Sequence, residues 1–192
     1  CCGPPIIADF NRDGNLDIAF VDGGGFMAGV LLGNGDGTFG TELLFGTGNF
    51  PYAVAAADFN GDGKLDLVTA DWWSSTVSML FGNGDGTFQA RADYPVPGTV
   101  TATGLADFNH DGNLDLAVVT PCGTTSGCPA GTVSILSGNG DDTFGPPRTY
   151  ASGSGASSIA FGDFNKDGKL DLVTGNYFVD GDPVDGGDNF LG

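Results

Sequence analysis

Short stretches of this chain alternate apolar and polar residues, and turns rich in Gly, Asn and Asp separate them. Residues 53–59 read AVAAADF, 65–71 LDLVTAD, 76–81 TVSMLF and 87–96 TFQARADYPV, with GNGDG between the last two. A period of two with β-branched residues marks strands, and Gly-Asn-Gly-Asp turns at this spacing mark hairpins. No window shows a helical apolar stripe with caps. The pattern predicts an all-β chain.

The pattern also repeats. DFNRDGNLD at 9–17 returns as DFNGDGKLD at 58–66, DFNHDGNLD at 107–115 and DFNKDGKLD at 163–171, so the starts are 49, 49 and 56 residues apart. A second motif, GNGDGTF at 33–39 and 82–88 and GNGDDTF at 138–144, follows the first by 24, 24 and 31 residues. The seven extra residues of the third unit fall around Cys122–Cys128, which reads as a loop decoration. Each complete repeat predicts one four-stranded antiparallel sheet, and four strands per 40–50 residues is the signature of propeller blades. The expected architecture is β-propeller-type, about 3.5 repeats in one repeat domain over 1–192, with units near 1–49, 50–98, 99–154 and 155–192. The fourth unit is expected to stop after two strands, leaving a propeller that is incomplete or open at an unpaired edge.

Charge sharpens the reading. The chain has 24 acidic and 6 basic residues, a formal charge of −18, and Glu42 is the only Glu. An excess of Asp over Glu, with 35 Gly, points to turns that ligate cations. The missing basic footprint argues against nucleic acid. No apolar run approaches the ~18 residues of a membrane span, and no signal peptide is visible, so a mature chain or a fragment is expected. Cys122 and Cys128 flank a small polar loop and are expected to pair as a disulfide. Cys1 and Cys2 could pair with each other or with another chain, or serve in lipidation. This Cys usage leans towards an oxidising, extracellular or cell-surface location.

In the second loop, Asp58, Asn60 and Asp62 alternate, so a curled segment can aim them at one centre. Gly63 permits a positive φ, Lys64 offers its carbonyl with its side chain towards water, Leu65 turns inward as an apolar plug, and Asp66 closes the site. Hard oxygen donors in this number suit Ca²⁺, whereas zinc would want His or Cys. An EF-hand shares the opening pattern but needs Glu at loop position twelve, where Phe20, Thr69, Val118 and Thr174 stand, and it needs flanking helices. Asx turns without metal are the simpler alternative, but turn preference alone does not account for four copies with the same three Asp. About four Ca²⁺ per chain are expected, which would bring the charge from −18 to −10. For GNGDGTF, a hairpin turn with Phe39, Phe88 and Phe144 packed between blades is expected over a second cation site.

The pairing of DFNxDGxLDLV with LxGNGDGTF resembles the FG-GAP/VCBS repeat family, which includes the calcium-bearing blades of integrin α-subunit propellers. The resemblance covers nearly the whole chain. It implies calcium ligands Asp9, Asn11, Asp13, Asn15 (carbonyl) and Asp17 in the first loop, and Asp58, Asn60, Asp62, Lys64 (carbonyl) and Asp66 in the second. In the third loop it implies Asp107, Asn109, Asp111, Asn113 (carbonyl) and Asp115, and in the fourth Asp163, Asn165, Asp167, Lys169 (carbonyl) and Asp171. Family propellers usually close with seven blades, about 350 residues at this period. A fragment, a small ring and an open stack therefore all remain for this chain.

Catalysis is not expected: the one His, His110, sits in a calcium loop, and no Ser–His or Cys–His arrangement is legible. Trp72 and Trp73, with Tyr177 and Phe178 at the same positions of the fourth unit, are candidate ligand contacts through stacking on sugars or anchoring of a protein. The alternative is packing against neighbouring blades. The sequence thus predicts an extracellular, calcium-binding, non-catalytic adhesion or binding module for a protein or carbohydrate ligand. The alternative is a structural subunit of a surface layer or filament, joined to copies of itself through open blade edges.

Overall fold

The computed structural model describes residues 3–121, 131–176 and 190–191. Cys1, Cys2, Cys122, Cys128, Tyr177 and Phe178 lie outside them. The described chain forms four antiparallel sheets in sequence order. The first is β1 (Ile6–Ala8), β2 (Asp17–Asp22), β3 (Met27–Leu31) and β4 (Leu43–Gly46). The second is β5 (Pro51–Ala57), β6 (Asp66–Asp71), β7 (Thr76–Leu80) and β8 (Ala92–Pro95). The third is β9 (Ala102–Ala106), β10 (Asp115–Thr120), β11 (Gly131–Leu136) and β12 (Arg148–Gly153). The fourth is β13 (Ala156–Gly162), β14 (Asp171–Asn176) and β15 (Phe190–Leu191). All four are meanders, as hairpin connections require. The strand near Ile6 and Ile7 pairs within its own sheet, with Ile7 opposite Ile18.

Each acidic loop joins the first two strands of its sheet, and its ninth residue is the first residue of the second strand. The register repeats too: Ile18 faces Leu31, Leu67 faces Leu80, and Leu116 faces Leu136. Glycines of the second motif are required by close approach. A Cβ on Gly33, Gly82 or Gly138 would strike the carbonyl oxygen of Leu16, Leu65 or Leu114. The motif therefore lies against the acidic loop of its own sheet.

The core sits between sheets. One cluster joins the first two around Phe10, Val30, Val54, Leu67 and Phe88. A second joins the middle two around Phe59, Val77, Met79, Leu116 and Val118. A third joins the last two around Val119, Val133, Ala156 and Leu172. Sheets covered on both faces bury whole strands: all six residues of β6 and all six of β10 are buried, whereas β2 alternates. The stack is open, each sheet packing on the next.

Aromatic residues of the second motif carry the joint between sheets. Phe88 meets Phe10 and Phe45 of the preceding sheet edge-on, with centroids 6.2 and 4.9 Å away. Phe144 meets Phe59 and Tyr94 likewise, at 5.7 and 5.4 Å. The expected packing between blades holds for Phe88 and Phe144 and fails for Phe39. Phe39, in the first sheet, is 42% exposed. The corresponding residues of the third sheet, Phe108 and Tyr150, line a cavity of about 320 Å³ with Val133, Arg148, Leu170 and Leu172.

Three expectations are corrected. The fourth unit has a third strand, β15, paired with β14 through Leu172–Leu191 and Val173–Phe190. The loop Leu is not an inward plug in every unit: Leu65 and Leu114 are partly buried against the clusters, while Leu16 and Leu170 are 64% and 36% exposed. The Lys64 side chain does not point free to water; its Nζ lies 2.8 Å from Asp62 Oδ2.

Candidate functional site

The four acidic loops share one internal wiring. In the first, Asp9 accepts from the backbone N–H groups of Arg12 (2.7 Å), Asp13 (3.2 Å) and Gly14 (2.9 Å). Asn11 Oδ1 accepts from Asp13 N, and Asp13 Oδ1 from Asn15 N. In the second loop Asp58 takes Gly61, Asp62 and Gly63, Asn60 takes Asp62 N, and Asp62 takes Lys64 N. Asp107, Asn109 and Asp111, with Asn113 as the last donor, repeat the pattern in the third loop. Asp163, Asn165 and Asp167, with Lys169 as the last donor, repeat it in the fourth. Carboxylates that accept backbone N–H bonds favour a tight curl with two left-handed residues. Arg12 and Gly14 have φ of 63° and 87°, His110 and Gly112 59° and 90°.

The ninth-position Asp does something the spacing did not announce. Asp66 Oδ2 accepts from Phe59 N (2.9 Å) and Oδ1 from Gly82 N (2.8 Å), so one buried carboxylate ties the acidic loop to the second motif. Asp17 does the same with Phe10 and Gly33, and Asp115 with Phe108 and Gly138. In the fourth loop Asp171 accepts from Phe164 and Asn165.

The electrostatics divide along the loop. Hydrogen bonding, chiefly from the Asn15 N–H, holds the Asp13 carboxyl below its usual range, and Asn113 does the same for Asp111. The Lys64 ammonium does so for Asp62. Burial pushes Asp66 up to about 6, and the charges of Asp62 and Asp58 add to the effect. Burial raises Asp115 in the same way, helped by Asp111 and Asp107. A desolvated carboxylate beside two ionised ones is an arrangement that a divalent cation would relieve. The donors are hard oxygens, the chemistry Ca²⁺ takes. Among the described residues no three His, Cys, Asp or Glu side chains converge as a ready-made metal cluster. A cation would therefore draw on the position-one, position-five and position-nine carboxylates with Asn Oδ1 and backbone carbonyl oxygens.

Asp142, which replaces the turn glycine of the other GNGDGTF copies, escaped sequence reasoning. Its φ is 66°, a left-handed conformation, and its Oδ1 accepts from Asn60 Nδ2 at 2.6 Å. The third sheet thus reaches into the acidic loop of the second. The visible signal was the Asp-Asp pair where Asp-Gly stands elsewhere.

Trp72 and Trp73 each pack on an aromatic ring of their own unit. Trp72 tilts against Tyr52, with centroids 5.4 Å apart. Trp73 stacks on Phe50 at 4.7 Å and 28° and stays 65% exposed. One of its ring faces is covered and the other is open to solvent.

Among solved structures, this chain is similar to BBS1N crystallised in complex with ARL6DN, soaked with lead or with mercury. The TM-scores are 0.60 and 0.61 at 13% and 14% identity, over 90% of this chain and 50% of that one. It is also similar to the V. cholerae biofilm matrix protein Bap1, with TM-score 0.45 and 19% identity over 82% of this chain and 30% of that one. This chain spans half the length of the BBS1N chains it matches. A search of curated protein sequences finds no match. The BBS1N likeness places the fold among β-propeller-like structures. The FG-GAP-like repeat profile matches residues 9–69, 60–118 and 107–174, which together span most of the chain and both of its motifs. The chain belongs to the FG-GAP-like repeat family.

Proposed function

We propose that this chain is an extracellular, non-catalytic binding module whose blades are stapled by Ca²⁺, about one ion per acidic loop, and whose ligand is a protein. The observation that carries the metal is Asp66, a buried carboxyl raised to about 6 by desolvation and by the charges of Asp62 and Asp58. The N–H groups of Phe59 and Gly82 offset part of that cost, and a cation would offset the rest at neutral pH, where protons are scarce. Millimolar free calcium is found outside cells, where repeat modules with Kd on the order of 10⁻⁴ to 10⁻³ M are loaded. The protein ligand is supported by the open ring face of Trp73, since Trp is a frequent anchor of interfaces. It is supported also by a propeller-like neighbour crystallised with a protein partner. The formal charge of −18 favours a basic partner and disfavours nucleic acid.

Equilibrium dialysis in millimolar calcium tests the metal: about four ions per chain are expected, and fewer than two refute the reading. A second reading, a structural subunit of a filament or surface layer, draws on apolar residues exposed at the first sheet. Leu16 and Phe39 are 64% and 42% exposed, although Leu65 and Phe88 pack on a neighbour. Particle size in calcium separates the two, because a head-to-tail contact that does not close makes long polymers.

A further inference from the structure

The second sheet holds a polar cluster, buried at two of its three members, that the acidic loops do not use. Asp71 and Ser78 have no exposed surface. Ser78 Oγ lies 2.6 Å from Asp71 Oδ2 and 2.8 Å from Asp93 Oδ1, and it accepts from Gly48 N at 3.0 Å. A serine hydroxyl has one hydrogen, so it can donate to only one of two carboxylates. With both ionised, one of the two contacts would press oxygen lone pairs together at a hydroxyl that has no exposed surface, although Asp93 itself is 37% exposed. With one carboxyl protonated, every atom is satisfied: the acid donates to Oγ, and Oγ donates to the other carboxylate. Thr69 and Thr76 hydroxyls already donate to Asp71.

The molecule contains its own control. At the same positions the third sheet has Thr120, Ser134 and Thr149, and Ser134 Oγ meets Thr149 Oγ1 at 3.0 Å with no carboxylate present. The first sheet has Asp22, Gly29 and Leu44, which leave no bridging hydroxyl. Among the described residues, only the second sheet pairs two acids through one serine.

This cluster lies under the tryptophan turn. Gly48, bonded to Ser78, precedes Asn49, whose N–H donates to Ser74 Oγ and whose carbonyl accepts from Trp73 N. Ser74 Oγ in turn meets Thr76 Oγ1 at 2.8 Å. Phe50, the residue stacked beneath Trp73, accepts from Trp72 N through its carbonyl. A Cβ on Gly48 would stand 2.5 Å from Asp71 Oδ2, so the loop rests directly on the acid.

We propose that Asp71, Ser78 and Asp93 hold one shared proton in the folded state, and that its loss releases residues 47–50 and reorients the Trp73–Phe50 pair. The ligand face of the second sheet is then pH-sensitive. The charged and titratable groups around the cluster are few. Asp93 comes from β8, with Arg91 3.2 Å behind it; β7 contributes the hydroxyls of Thr76 and Ser78 and β6 that of Thr69. Burial, opposed by the three hydroxyls and reinforced by Asp93, raises Asp71 above 3.8. The folded chain therefore binds this proton more tightly than the unfolded chain. Stability is highest below the ordinary carboxyl range and falls as pH rises through the raised value.

The test uses Trp fluorescence, because the chain has two Trp and both sit on this turn. In saturating calcium, a titration from about pH 4 to about pH 8 should show one shift in emission while far-ultraviolet circular dichroism stays constant. Asp93→Asn supplies a permanent N–H donor to Ser78 and should abolish the shift; Asp71→Asn is the matching variant from the other side. Carbon-13 NMR of the Asp carboxyls in the unaltered chain keeps the test open if either variant fails to fold. The inference is overturned by flat emission, by a shift that survives both variants, by ordinary carboxyl titration of Asp71, or by a midpoint that tracks calcium concentration. Loss of calcium binding with the shift intact would refute the calcium reading alone.

Discussion

Calcium removal should destabilise this chain, and more at pH 7 than at pH 5. In the metal-free protein Asp66 titrates near 6 instead of 3.8. Ionising it in the folded state then costs at most ~3 kcal/mol, and solvent screening at a partly open loop reduces that to about 1.5. The sign follows from linkage. The folded form holds this proton more tightly, so metal-free stability falls as pH rises from 3.8 through about 6. Calcium offsets that loss by neutralising the ionised carboxylate. A site at tenfold saturation contributes about 1.4 kcal/mol, and four contribute roughly 6, against a typical total of ~5–15. For a chain of 192 residues that is roughly 10–25 °C in melting temperature. Thermal melts followed by circular dichroism, with millimolar calcium or excess EDTA at each pH, read the effect. EDTA should lower the melting temperature steeply at pH 7 and less at pH 5. Melts unmoved by EDTA at both values would show that the loops are ordinary turns.

Two substitutions separate structure from ligation in one loop. Asp66→Ala strands the buried N–H groups of Phe59 and Gly82 and should cost about 2–5 kcal/mol even without calcium, measured by urea unfolding. Asp62→Ala should change metal-free stability by under ~1 kcal/mol yet remove one ion per chain in dialysis. At the inter-sheet joint, Phe144→Ala should cost about 3–5 kcal/mol and loosen the second and third sheets first, a loss visible in amide exchange at Phe59 and Tyr94. Gly82→Ala places a methyl against the Leu65 carbonyl and should cost about 1–3 kcal/mol in the same unfolding assay.

What could be read in advance was whatever recurs. Period-two stretches and four loops alike at seven of nine positions located the sheets, because each unit is built to one plan. Contacts made once were not legible. Asp142 reaching Asn60 depends on a single departure from glycine, and its meaning appears only when two sheets are brought together. The Asp71–Ser78–Asp93 cluster looks in sequence like ordinary strand positions, since its members come from three strands. The double duty of Asp66 was hidden for another reason: a carboxylate sixteen residues from Gly82 gives no local sign of bonding it. The exposure of Leu16 against the partial burial of Leu114 shows the reverse case, where the same local sequence, DGNLD, meets different neighbours.

The joint between sheets has an implication for how such chains grow. A unit such as 50–98 bears a hole on one side, Phe59 with Tyr94, and a knob on the other, Phe88. Copying that unit in tandem brings a hole against a knob each time, so every added joint is one the molecule already knows how to pack. Gene duplication can therefore lengthen the array by whole units without inventing an interface. A unit that loses either partner ends the series, which makes these aromatic residues the punctuation of the repeat, while the acidic loops are its repeated word.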